Sequence, residues 1–124
     1  MSIAIVPIDA QRRVLLTTGE GVRGPQLADA TIRAVVERPE LADWDWINHL
    51  RATVEDSSGE DIARIAAAFD PLSTGPCWTV FVSRDPNLRL WAQVMDHQFK
   101  HRRHLLADTP EAAAALLDRT RAGG

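Results

Sequence analysis

The sequence predicts an α/β domain with the element order ββαβαβαβα, in which a mixed five-stranded sheet carries covering helices. Three observations lead there. The run Cys77 to Ser83, Cys-Trp-Thr-Val-Phe-Val-Ser, is short, apolar and β-branched, and Gly75-Pro76 and Arg84-Asp85-Pro86 bound it, as expected of a strand buried on both faces. A helical pattern ending at Phe69 precedes it and another opening at Pro86 follows it, so its neighbours are reached by helical crossovers and should run parallel to it. Near the beginning, two β-prone runs, Ser2 to Ile8 and Arg13 to Thr18, are separated only by Asp9-Ala10-Gln11-Arg12, a hairpin spacing that adds an antiparallel edge.

Taken in order, Gly19-Glu20-Gly21 breaks the hairpin pattern, and Gly24 followed by Pro25 opens a helix. Its apolar residues Leu27, Ala28, Thr31, Ile32, Val35 and Val36 recur at threes and fours, and Arg38-Pro39 ends it. Trp44 to Leu50 reads as the third strand, with Asp45 and Asn48 needing partners if that strand is buried. The loop from Val54 to Gly59 leads into a helix whose inner face is Ile62, Ile65, Ala66 and Phe69. Ser57 or Ser58 can cap it, and Ser57 with Glu60 three residues on has the capping-box spacing. After the Cys77 strand, Asp85 is the expected cap and Pro86 the first helical residue of a third helix turning Leu88, Trp91, Val94 and Met95 inward. His104 to Ala107 reads as a brief fifth strand. Thr109-Pro110-Glu111 then opens a last helix with Ala112, Ala113, Leu116 and Leu117 inward. Residues 1–118 are the expected domain, and 119–124 an expected flexible C-terminal tail.

Composition narrows the function classes. At 124 residues the chain has the size of one domain, and 45% hydrophobic with 25% charged residues is ordinary for a globular protein. The formal net charge of −3 argues against nucleic acid as a partner, and no apolar run approaches the roughly 18 residues of a membrane span, so membrane insertion is not expected. A single cysteine, Cys77, allows no internal disulfide, which fits a reducing compartment and predicts a cytoplasmic location.

Chemistry-bearing patterns are sparse. His97 and His101 have a helical zinc spacing, yet no third ligand supports them, so neither metal nor cofactor is expected. Gly19, Gly21 and Gly24 match no phosphate-binding loop, and Cys77 has no base nearby in sequence; an enzyme is not expected. Lys100, Arg102 and Arg103 form the one basic run, a candidate binding patch for a phosphate or an acidic partner. Together with Trp46 and Trp91 they suggest an apolar cavity between helices and sheet with a basic mouth, the arrangement of a small-molecule or lipid-binding module.

The order of elements, and Asp56-Ser57-Ser58-Gly59 placed between the strand containing Ile47-Asn48-His49-Leu50 and a helix, resemble the STAS domain of the SpoIIAA-like anti-sigma factor antagonists. So does the ending, with a central strand, a helix bearing an aromatic and a Met on its inner face, a short strand and an Ala- and Leu-rich helix. The resemblance covers Ile3 to Leu117. It implies a non-catalytic regulatory module that recognises a protein partner or associates with itself as a homodimer, with Ser57 as the phosphoacceptor of the motif. A phosphate there would add roughly −1.5 to −2 charges to a docking surface. The flanks differ from the antagonists' pattern, since Thr53-Val54-Glu55 and Glu60-Asp61 replace their apolar residues.

Overall fold

The structure is a computed structural model and describes residues 2–123. A five-stranded sheet has its strands in chain order, β1 (Ile3–Ile8), β2 (Arg13–Thr18), β3 (Asp45–Leu50), β4 (Cys77–Val82) and β5 (Arg102–Ala107). β1 pairs antiparallel with β2, and every later pairing is parallel, so the expected mixed sheet with a hairpin edge is present. The hairpin turns through a short 3-10 segment, Asp9–Gln11, closed by Arg12 in the left-handed region at φ 50°. Pro7, which has no N–H to give, lies in the edge strand β1, where such a residue is tolerated.

Helices α1 (Gly24–Glu37), α2 (Gly59–Phe69) and α3 (Leu88–Gln98) join the parallel strands, and α4 (Pro110–Gly123) follows β5. Side chains alternate between the two faces of a strand, which divides the core in two. On one face Val14, Leu16, Trp46, Leu50 and Phe81 meet Val35 of α1, Ile62, Ala66 and Phe69 of α2 and Leu88 of α3. On the other, Ile47, Val80 and Val82 meet Ala113 and Leu117 of α4. Three crossovers in the same sense between consecutive strands put α1, α2 and α3 on one side, and α4 alone covers the other.

Several boundaries differ from expectation, each for a physical reason. α3 begins at Leu88 rather than Pro86, because the Asp85 carboxylate accepts from the Asn87 N–H (2.9 Å) and holds a turn ahead of the helix. β5 begins two residues before His104, which draws Arg102 into the sheet. Val36, Val94 and Ala112 face outward, and Ala92 takes the inner place on α3. Residues 119–123, expected as a tail, continue α4, and Arg121 grips buried Asp45 with two bonds, Nε to Oδ2 at 2.9 Å and Nη2 to Oδ1 at 2.8 Å. Asp45 Oδ1 also accepts from the Trp78 N–H (3.0 Å), so the carboxylate that seemed out of place in a buried strand is fully partnered.

Candidate functional site

The motif Asp56-Ser57-Ser58-Gly59 lies beyond the C-terminal end of β3 and leads into α2. Its backbone is fixed against the start of α1: the Gly24 N–H donates to Glu55 O (2.6 Å) and the Glu55 N–H to Val22 O (3.1 Å). A Cβ on Gly24 would come within 2.7 Å of Ser57 Cα and 2.8 Å of Asp56 O, so only glycine allows this approach. Asp56 has φ 56° and its carboxylate takes the Arg23 guanidinium, Nη2 at 2.6 Å and Nε at 2.8 Å. The helix cap is Ser58, not Ser57. Ser58 Oγ accepts from the Asp61 N–H (3.2 Å) and donates to Asp61 Oδ2 (3.1 Å). Ser57 is exposed, its hydroxyl giving only a long 3.4 Å bond to Val54 O.

Beneath this loop, between α1, α2, α3 and the sheet, is a hollow of about 100 Å3. Leu27, Ile62, Ile65, Phe81, Trp91 and Met95 line it, and Ser57, Ser58, Asp61 and Asp85 stand around it. A second chamber of about 80 Å3 shares Leu27, Ile62, Ile65, Phe81 and Met95 with the first and reaches deeper, to Trp46, Asn48, Thr79, Phe99, Arg102 and His104. Near Trp46 and Trp91 the structure therefore has two small adjoining chambers with a shared wall, Trp91 lining the outer and Trp46 the inner.

The basic patch needs correction. Arg102 is only 2% exposed, because β5 carries its side chain inward. Its Nη1 donates to Trp78 O and Thr79 Oγ1 (both 3.0 Å), its Nη2 to Ala42 O (3.0 Å) and Trp44 O (2.7 Å), and its guanidinium lies 5.1 Å above the Phe69 ring. Burial pulls its pKa below the usual guanidinium value. Lys100 and Arg103 are exposed, and Arg103, one residue along the strand, points to the opposite face. The three cations form no common surface. Trp46, at 1% exposure, donates its indole Nε1–H to Leu41 O (2.9 Å), so it is an inner wall and not a docking residue.

Beside Arg102, His104 is stacked on Phe81 and tilted against Phe99. Burial drives its pKa down to about 4 against the opposing pull of Asp96, so at neutral pH the ring is uncharged and Nδ1–H donates to Asp96 Oδ1 (3.0 Å). Asp96 Oδ1 also accepts from the His104 backbone N–H (2.8 Å). Burial raises the Cys77 thiol, leaving it protonated and a poor nucleophile. α3 ends at Gln98, which separates His97 from His101, and no group of three metal-ligating side chains occurs among the described residues.

Two roles escaped sequence reasoning. Asn48 and Thr79 line the inner chamber with Arg102, and the only signal was parity, since on a strand starting at Arg102 both Arg102 and His104 face inward. A broader, open groove of mixed charge, with His49, Arg51, Arg84, Asp108 and Glu111, runs where the chain leaves β4 for one face and β5 for the other. No protein-family model matches the chain, and neither does any curated protein or solved structure.

Proposed function

We propose that this chain is a non-catalytic, STAS-like binding module of the cytoplasm that recognises a protein partner through the Asp56 to Gly59 loop and the outer chamber below it. One observation carries the reading. The outer chamber, about 100 Å3 and largely apolar, opens beside an exposed serine on a backbone that Gly24 and the Arg23–Asp56 pair hold in one shape. Sites for drug-sized molecules commonly run to roughly 300–1,000 Å3, whereas a single anchoring side chain such as Val or Leu suits this volume. A fixed loop also loses little entropy on docking. Ser57 is the accessible hydroxyl of the motif, and a phosphate there would join Glu55, Asp56 and Glu60 in an acidic rim and oppose docking.

The test is site-specific crosslinking in the cells that make the protein, with a photoreactive phenylalanine at Ser57 and, as a control, at Val36 on the outer side of α1. One protein species should crosslink at Ser57 and not at Val36, and Gly24→Ala should reduce it at least tenfold. Equal crosslinking from both positions, or indifference to Gly24→Ala, overturns the proposal. A second copy of the chain as the crosslinked species identifies self-association as the mode of recognition.

A further inference from the structure

Two side chains that line the inner chamber each have a buried polar atom that nothing in the protein satisfies. Arg102 Nε and Asn48 Oδ1 are both without a hydrogen-bond partner, and both residues line the same chamber. Arg102 gives its four terminal N–H groups to three backbone carbonyls and a hydroxyl, and none to a carboxylate. Asp43 and Asp45 act on it only through space, and Asp45 is already held by Arg121. A buried guanidinium without a bonded anion is costly, since desolvation is opposed by neutral dipoles alone. Thr79 Oγ1 accepts from Arg102, which leaves its own O–H to give, and the Asn48 amide can turn its NH2 inward.

We infer that the two adjoining chambers, continuous once their shared side chains move aside, are a binding site for a small monocarboxylic acid, with the carboxylate on Arg102 Nε, Thr79 and Asn48 and an apolar body along Phe81, Ile65 and Met95. Arg102, Thr79 and Asn48 of the inner chamber would receive a charged end, and the apolar residues common to both chambers, Leu27, Ile62, Ile65, Phe81 and Met95, a hydrocarbon body. The volumes, about 80 Å3 inside and about 100 Å3 outside, limit its size. An engineered apolar cavity of about 150 Å3 takes up benzene, so six to eight carbons is the order of magnitude. The two readings share the outer chamber but are tested apart, this one at Arg102 Nε and the partner reading by crosslinking from Ser57.

The experiment is calorimetric titration of the full chain with benzoate and hexanoate, and with benzyl alcohol as the uncharged counterpart of benzoate. The Arg102 Nε–H resonance is followed by NMR through each titration. A bond between a charged donor and acceptor contributes about 1.5–3 kcal/mol, so at least one acid should bind ten-fold or more tighter than benzyl alcohol and shift the Nε–H signal. Ile65→Phe, which fills the shared wall and leaves Arg102 in place, should weaken that acid at least tenfold; Arg102→Met should abolish the preference over the alcohol. The inference is overturned if neither acid binds at about 10 mM, if the alcohol binds as tightly, or if the Nε–H signal stays put and contacts only water.

Discussion

Arg121 on one face of the sheet and Arg102 on the other are held in opposite ways. On the α4 face, Arg121 lies 4.9 Å above the Trp78 ring and closes a two-bond pair with Asp45, over a small dry cluster of Ile47, Val80, Val82, Ala113 and Leu117. On the three-helix face, Arg102 has carbonyls in place of a carboxylate, adjoins a neutral buried histidine and borders an incompletely filled chamber. The first arrangement fastens a helix. The second leaves a positive charge and a hydrogen-bond donor unused, a state that packing alone does not favour. The difference separates an arginine held by a carboxylate from one held by backbone carbonyls with a donor left over.

The largest expected effect tests the second arrangement. Arg102→Ala opens a cavity and strands three carbonyls, and should lower unfolding free energy by about 3–4 kcal/mol in urea titration. A loss below about 1 kcal/mol would place Arg102 outside the stabilising framework. Acid comes next. His104 in the folded chain has a pKa near 4 against an ordinary value of 6.5, so the unfolded chain binds more protons between those values. Its contribution is complete above pH 6.5 and declines as pH falls toward 4, by up to about 3 kcal/mol. His104→Gln should flatten the stability profile over that range, and an unchanged slope would transfer the acid sensitivity to the carboxylates.

On the α4 face the expected effects are smaller, because half-exposed Arg121 can turn to water when its partner is removed. Asp45→Ala should cost about 2 kcal/mol and speed amide hydrogen exchange in residues 119–123 more than in β4. Uniform acceleration would contradict a local fastening. At the loop, Ser58→Ala should cost about 1 kcal/mol by removing the α2 cap, and Ser57→Ala should cost almost nothing. Equal values from thermal unfolding would remove the distinction between a structural serine and an accessible one.

Much of the framework was legible in the sequence, because periodicity is local. The hairpin, the Cys77 strand and the Gly24-Pro25 helix start needed only spacing and turn residues, and all are present. Misread elements turned on partners distant in the chain. Nothing near Arg121 announces Asp45, 76 residues away, so a helix end looked like a tail. Arg102 looked like a surface cation because arginine usually is one; only the pairing of Cys77 with Arg102 across β4 and β5 shows that the strand begins there and turns the side chain inward. The motif serines were found in the sequence, but their division of labour was not, since Ser57 and Ser58 both have capping partners at plausible spacing and backbone geometry chose Ser58.

The sequential arrangement of the strands has a consequence for how the chain is made. Each strand joins a neighbour already synthesised, so none must be inserted between two others, and the sheet can lengthen one strand at a time as the polypeptide leaves the ribosome. The reverse side of that growing sheet stays bare until α4 emerges and Arg121 can reach Asp45.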